Sequence, residues 1–176
     1  MFTGLTHIYY GDGKGKSTAA FGLALRAAGT GLNVVIVQFL KDWNCGEIKS
    51  FELLPNITVF RAKLSGNSFY HEMNDGEKEV LKTMHNENLI KALGLHENGK
   101  CDVLILDEVI DAYNIGALDA GLFDALLKNK PEALELVITG HNPNPRILEY
   151  ADYITEMVKR KHPYDKGITA RKGIEF

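Results

Sequence analysis

The sequence predicts an α/β domain in three layers, with helices on both faces of a mainly parallel sheet of about six strands. Three observations carry this. Short apolar runs alternate along the chain with stretches of helical periodicity, the order expected of successive βαβ units. Two of the runs, Val34-Val35-Ile36-Val37 and Val103-Leu104-Ile105-Leu106, are apolar without a break, as strands covered on both faces require. A glycine-rich segment joins the first run to the first helical pattern, and α/β sheets bind ligands at such strand ends.

The elements follow in order. Thr6–Tyr10 reads as the first strand. Phe21, Ala24, Leu25 and Ala28 then fall at i, i+3, i+4 and i+7 and predict a helix with one buried stripe, stopped near Gly29 and Gly31. The next strands are expected over Asn33–Leu40 and Ile57–Arg61. Leu81, Met84, Leu89 and Ala92 share the face of a second helix ending near Gly94. A strand over Asp102–Leu106 follows. A helix with Leu122, Phe123, Leu126 and Leu127 on one side is closed by Lys130-Pro131. The last strands are expected over Leu134–Thr139 and Tyr153–Val158. Crossovers between parallel strands should be right-handed. Leu40–Leu54 and Ala62–Gly76 read as long loops, and long loops in compact domains are usually functional.

The chain of 176 residues is expected to form a single domain over residues 1–176. Lys and Arg total 20 against 23 Asp and Glu, for a net charge of −3. That balance argues against nucleic acid as the main partner. The segment Glu156–Phe176 is basic, with Lys159, Arg160, Lys161, Lys166, Arg171 and Lys172 against Glu156, Asp165 and Glu175. Only Cys45 and Cys101 are present, without a CxxC pair or a disulfide framework, which suits a reducing compartment. No apolar run approaches the roughly 20 residues of a membrane span. No basic region followed by an apolar stretch opens the chain, so no signal peptide is expected. A soluble, cytoplasmic protein is the reading these features share.

The strongest motif is Tyr10-Gly11-Asp12-Gly13-Lys14-Gly15-Lys16-Ser17-Thr18, between a strand and a helix, the context a phosphate loop requires. Glycines let the backbone curl with several N–H groups pointing inward. The helix N-terminus adds open donors and partial positive charge. Lys16 supplies a full charge to phosphate oxygens, and Ser17 places a hydroxyl where Mg²⁺ can be held. The first glycine of GxxxxGK[ST] would fall at Tyr10. The loop instead alternates Gly11, Gly13 and Gly15, so its start should be shaped differently.

A nucleotide site of this kind needs an acidic residue ending an apolar strand. Leu104-Ile105-Leu106-Asp107-Glu108 provides one. Asp107 is placed to reach Mg²⁺ directly or through water, or else to cap the next helix. Glu108 is placed to orient an attacking water or to serve the metal. Lys41 follows the second strand and belongs to the same expected crevice, as does Trp43. Arg146 follows the fifth strand in His141-Asn142-Pro143-Asn144-Pro145-Arg146, a position from which it could bind phosphate. The six histidines show no metal-ligand spacing. These residues define a Mg²⁺–nucleotide site without fixing its reaction, because the fold hosts many.

Almost end to end, the chain resembles the P-loop corrinoid adenosyltransferases, which act on cob(I)alamin or cobyrinic acid diamide with ATP. Gly11 to Gly22 is similar to that family's phosphate loop, including its missing first glycine. Val37-Gln38-Phe39-Leu40-Lys41 with Gly46-Glu47 resembles its second-strand motif, and Leu106-Asp107-Glu108 its acidic strand end. The most specific resemblance lies in Ile138-Thr139-Gly140, Ala151-Asp152, Glu156-Met157, Lys161-His162-Pro163-Tyr164 and Gly167-Ile168, ending in Lys172-Gly173-Ile174-Glu175-Phe176.

The resemblance implies a RecA-like P-loop fold and a reaction at carbon. Co(I) of a reduced corrinoid attacks C5′ of ATP, and triphosphate leaves. It implies catalytic roles for Lys16, Glu108 and Lys41. Nucleotide contacts are implied for Gly11, Asp12, Gly13, Lys14, Gly15, Lys16, Ser17, Thr18, Arg26 and Arg146. Mg²⁺ would be held by Ser17, Glu108 and Asp107. The family forces the corrinoid into a four-coordinate, more easily reduced state with aromatic residues after the third strand, and here Phe69 and Tyr70 match that place. A homodimer and an electron-donor reductase such as a flavodoxin are implied partners. Relatives often carry Arg where this chain has His141, and many carry a basic N-terminal helix over the corrinoid, whereas here the first strand begins almost at once. Two readings compete with adenosyl transfer: a generic P-loop phosphotransferase or ATPase, and a non-catalytic ATP- or corrinoid-binding module.

Overall fold

The computed structural model describes residues 3–41, 45–63 and 70–175. Six strands, β1 (Thr6–Tyr10), β2 (Val34–Gln38), β3 (Ile57–Arg61), β4 (Val103–Asp107), β5 (Glu135–Gly140) and β6 (Tyr153–Glu156), form one sheet. The helices are α1 (Lys16–Gly29), α2 (Gly46–Phe51), α3 (Asp75–Glu97), α4 (Val109–Asn114), α5 (Ala120–Lys128) and α6 (Pro145–Leu148), with 3₁₀ turns at Tyr70–Glu72 and Pro163–Lys166. The strand order is β3-β2-β4-β5-β1-β6, and every pairing is parallel. The α/β class and the parallel sheet are therefore as the sequence predicts.

The uninterrupted apolar strands are explained by the two cores they feed. Val35, Val37, Leu104 and Leu106 face one side, with Phe39, Leu89, Phe123 and Leu126. Val34, Ile36, Val103 and Ile105 face the other, against Ala20, Phe21, Ala24 and Phe51. Successive strand residues point to opposite faces, so a strand covered twice has no polar position to spare. Each fully buried side chain of this size is worth about 1.5–3 kcal/mol of transfer free energy.

Helix α1 buries Ala20, Phe21, Ala24 and Ala27, while Leu25 is 49% exposed. Of the expected stripe Phe21 and Ala24 are buried and Ala28 packs partly against the same core, so the correction is at Leu25, which faces out. Small residues on that face let α1 lie close to the sheet, which an outward Leu25 does not disturb. Helix α3 runs past Gly94 to Glu97 and is capped by Asn98, with Gly99 at φ 67°. The left-handed residue after the cap ends the helix, whereas the glycine inside it does not. A capping box opens the same helix, Asn74 and Glu77 each bonding the other's backbone N–H at 3.0 and 2.9 Å. The expected loop Leu40–Leu54 contains the six-residue helix α2, which is too short to show a period.

The topology positions the site. Strands β1 and β4 are not neighbours, because β5 lies between them. The phosphate loop leaves β1, the acidic pair leaves β4, and Thr139 of β5 stands between. The C-terminal edges of β1, β2, β4 and β5 gather at one crevice, where open parallel sheets bind ligands.

Candidate active site

The loop after β1 closes on the N-terminus of α1. Gly15 is the N-cap at φ 119° and offers no side-chain cap, so the first amides of the helix are open to an anion. Lys16 turns back onto the loop, donating to the carbonyls of Gly11 at 2.7 Å and Gly13 at 2.9 Å. Its burial lowers the pKa, against the opposing charges of Asp111 and Glu108.

The alternation Gly11, Gly13, Gly15 has a structural cause. Tyr10 is the last residue of β1, paired with Gly140 and Glu156, and an extended residue there needs no glycine. The chain leaving β6 crosses directly over the loop. The Gly13 amide donates to the Met157 carbonyl at 2.6 Å, and Met157 N–H donates to Tyr10 at 2.7 Å. A Cβ at Gly11 or Gly13 would lie 2.5 or 2.6 Å from the Met157 oxygen. The glycines that replace the consensus one are set by this crossing. Lys159 N–H also bonds the Asp12 carboxylate at 2.9 Å, which lowers the Asp12 pKa.

Opposite the loop stands the acidic pair. Asp107 is wholly buried. It accepts from Gln38 Nε2 at 3.0 Å, Lys41 Nζ at 3.1 Å and Thr139 Oγ1 at 2.8 Å. Burial alone would raise its pKa; Lys41 and the hydrogen bonds from Gln38, Ser17 and Thr139 more than offset this and hold it low. Glu108 adopts φ 62° ahead of α4, and its N–H donates to Thr139 Oγ1 at 2.9 Å. Burial holds the Glu108 carboxyl above its ordinary range, against the opposing charge of Lys41.

Lys41 ties the two halves together. Its ammonium lies 3.2 Å from Ser17 Oγ, 3.1 Å from Asp107 Oδ2 and 2.7 Å from Glu108 Oε1. Burial disfavours its charge, but Asp107 and Glu108 raise its pKa well above that of a free lysine. A positive charge therefore already sits at the focus of three hard oxygen donors. Among the described residues no group of three or more His, Cys, Asp or Glu could hold a metal alone. Mg²⁺ in nucleotide sites needs only one or two carboxylates with phosphate oxygens and water. Gln38 Oε1, buried beside the cluster, has no hydrogen-bond partner among the described residues. An orphan acceptor next to two carboxylates and a hydroxyl fits a hydrated divalent cation.

The resulting cleft has a volume of about 330 Å³ and is lined by Asp12, Gly13, Lys14, Gly15, Lys16, Ser17, Thr18, Lys41 and Glu108, among others. The structure thus brings together most of the sequence-predicted residues. Arg26 lies exposed in the last turn of α1, ten residues beyond Lys16, or about 15 Å along the helix. Arg146 lines a separate cleft with Tyr113 and Asp124. Trp43 and Phe69 lie outside the described residues. Tyr70 opens the 3₁₀ turn before α3, with its hydroxyl 3.3 Å from the Ile115 carbonyl, and is not among the cleft residues.

Several residues that line or support the cleft were not among the sequence candidates. Thr139 and Gln38 hold Asp107; both stand in segments that carry the family resemblance, but no spacing assigns either of them a role at the acidic pair. Glu175 lies 3.2 Å from Lys14. With His162 and Ile174 it brings the C-terminal segment to the cleft wall. His141 pairs with Asp111 at 3.1 Å on the same rim.

A glycine loop feeding an open helix N-terminus, opposite an acid-ended strand of a parallel sheet, defines a P-loop nucleotide-binding fold. The cytoplasmic domain of EssC, a solved structure, matches at a TM-score of 0.53 and 15% identity, over 96% of this chain and 34% of that one, and shares the fold. The profile of the family ATP:corrinoid adenosyltransferase BtuR/CobO/CobP matches residues 3–176, and the chain belongs to that family. A corrinoid adenosyltransferase of Pseudomonas aeruginosa is 33% identical over 98% of this chain and 84% of its own length. One from Sinorhizobium is 34% identical over 98% of this chain and 80% of its own. Corrinoid adenosyltransferase CobA of Salmonella typhimurium is 32% identical over 98% and 86%. No helix among the described residues is long and apolar enough to cross a membrane.

Proposed function

We propose that this protein transfers the 5′-deoxyadenosyl group of ATP to the Co(I) centre of a reduced corrinoid. One observation carries the reading: the family match runs unbroken from the phosphate loop through the C-terminal segment packed upon it. A generic phosphotransferase has no call for that segment.

The electron pair of Co(I) forms the Co–C5′ bond, the C5′–O5′ bond breaks, and its pair leaves with triphosphate. Co(I) is itself a strong nucleophile, so no general base is needed. The protein has two tasks: aligning C5′ with cobalt, which is catalysis by proximity, and receiving the charge that gathers on triphosphate. Lys14, Lys16 and the amides opening α1 serve the second. Asp12, Gly13, Gly15 and Thr18 complete the cradle, and Arg26 and Arg146 are the outlying basic residues assigned to the nucleotide. Ser17, Asp107 and Glu108 would hold Mg²⁺, which when bound neutralises phosphate charge. Lys41 balances the carboxylates. Phe69 and Tyr70 are assigned to the corrinoid face. The active species in this reading is a single-domain protein acting as a cytoplasmic homodimer, supplied with electrons by a flavodoxin-like reductase.

The test is an anoxic assay with Mg²⁺, ATP and chemically reduced cobalamin, following the Co(I) absorbance and identifying the phosphate product. Adenosylcobalamin with triphosphate is expected. ADP and phosphate with unchanged cobalamin would overturn the reading in favour of a phosphotransferase or ATPase. Binding of ATP without turnover would overturn it in favour of a binding module.

A further inference from the structure

The charged groups of the cleft are satisfied by one another. Lys16 spends donors on the carbonyls of its own loop. Lys41 goes further. An ammonium has three N–H donors, and three oxygens surround this one, those of Ser17, Asp107 and Glu108. The side chain is only 13% exposed, so it has no spare donor and little water. The same three oxygens are the ones a divalent cation would use.

The fit of Lys41 is nonetheless incomplete. Gln38 is buried, its Nε2 donates to Asp107, and its Oε1 has no partner among the described residues. An ammonium already spent on three oxygens has nothing to offer that acceptor. A hydrated metal ion carries additional donors on its waters and would satisfy it. The site is therefore occupied by a cation smaller in donor capacity than the one its oxygens and orphan acceptor suit.

We propose that Lys41 is a placeholder cation: it holds the metal position while the nucleotide is absent and gives it up when a divalent ion arrives with nucleotide. The reason is charge. Without Lys41, the buried Asp107 and the partly buried Glu108 beside it would be uncompensated, which is costly. With Lys41 in place, a free divalent ion must displace a largely buried ammonium whose three donors are all spent. When nucleotide comes too, its phosphate oxygens offer Lys41 a new partner, and the exchange becomes balanced. Metal and nucleotide then load together, and free metal is kept out. This inference rests on the nucleotide half of the proposed function and is independent of the corrinoid.

The experiment titrates Mn²⁺ into nucleotide-free protein and reads the free ion by electron paramagnetic resonance. Wild-type protein should bind weakly. K41M, which keeps the unbranched apolar stem and loses the ammonium, should bind at least about tenfold more tightly. K41R, which keeps the charge, should bind as weakly as wild type. Equal affinity in K41M and wild type would overturn the proposal. A second measurement on wild-type protein covers the case in which K41M does not fold. In protein carrying ¹³Cε-lysine, the Lys41 signal, identified by its loss in K41R, should shift when Mg²⁺ and ATP are added together and not when Mg²⁺ is added alone. A signal unmoved by the pair would overturn the proposal. No corrinoid is present in either arm, so failure here leaves adenosyl transfer standing, and failure of adenosyl transfer leaves this result readable.

Discussion

The amide of Gly13 donates to the carbonyl of Met157 at 2.6 Å, binding the phosphate loop to the chain that leaves the last strand. The contact makes the C-terminal segment part of the nucleotide site. It also gives a physical reason for a loop that lacks its first consensus glycine. The steric demand for glycine arises where Met157 crosses, at Gly11 and Gly13, and Tyr10 is released from it.

The first prediction concerns Gly13→Ala. Its Cβ would stand 2.6 Å from the Met157 oxygen and 2.7 Å from the Met157 carbonyl carbon, both backbone atoms that cannot swing aside. Overpacking of this kind costs about 1–3 kcal/mol, or roughly 2–4 °C of Tm per kcal/mol at this chain length. Calorimetric ATP affinity should fall at least about tenfold as the loop is pushed off its clamp. Wild-type melting and affinity together would show that the clamp does not shape the loop.

The same contact marks a limit of reading the chain by pattern. β1 (Thr6–Tyr10) and β3 (Ile57–Arg61) begin and end where the sequence predicts them. β2 stops at Gln38 although Phe39 and Leu40 are apolar, because Leu40 turns to φ 56° and its N–H donates to His85 Nε2 at 3.3 Å. A leucine in that conformation is dictated by tertiary contacts and has no local signature. The phosphate loop and the acidic pair were legible because their chemistry fixes residue type and spacing. Thr139, Gln38 and Glu175 stand in segments that carry the family resemblance, but their roles were not legible, since each acts through a neighbour brought close by the strand order or by the returning tail.

Thr139 supplies the second prediction. Its hydroxyl donates to Asp107 Oδ1 at 2.8 Å and accepts from Glu108 N–H at 2.9 Å, and it is fully buried. Thr139→Val keeps the shape and removes both bonds. It leaves a buried carboxylate short of a donor and an amide without an acceptor, at about 1–3 kcal/mol for each unsatisfied group. Thermal melting should drop by several degrees, and Mg²⁺-dependent ATP binding should weaken. Thr139→Ser should recover most of both. If the serine variant behaved like the valine one, packing rather than the hydroxyl would be the cause.

A third prediction follows from Glu175. Side-chain and backbone hydrogen bonds from Arg171, with Lys14 nearby, lower its pKa to about 2. An unfolded glutamate titrates near about 4.3. A depressed acid stabilises the fold fully above the unfolded value and loses that contribution as pH falls toward the folded one. E175Q should therefore melt slightly below wild type at neutral pH, with the gap closing as the pH drops from about 5 toward about 2. The pair is exposed, so the gap should be small. Carboxyl ¹³C NMR is the direct check, and a Glu175 signal titrating with the bulk of the glutamates would sink the prediction.

The last prediction separates the corrinoid from the nucleotide. Tyr70 is half-buried at the start of the turn before α3, its hydroxyl on the Ile115 carbonyl and Lys78 Nζ 5.7 Å from its ring centroid. It does not line the phosphate cleft. If its ring serves the corrinoid face, Tyr70→Ala should lower cobalamin turnover at least about tenfold. ATP affinity should be unchanged, since no cleft contact is lost. Tyr70→Phe removes only an exposed hydrogen bond, worth about 0.5–1.5 kcal/mol at most, and should keep most of the turnover. The informative quantity is the ratio of the two losses, measured as cobalamin turnover and ATP binding on the same preparations. Equal loss of both in Tyr70→Ala would mean that the ring supports the turn and, through α3, the sheet beneath the cleft. Loss of turnover alone would assign the ring to the second substrate.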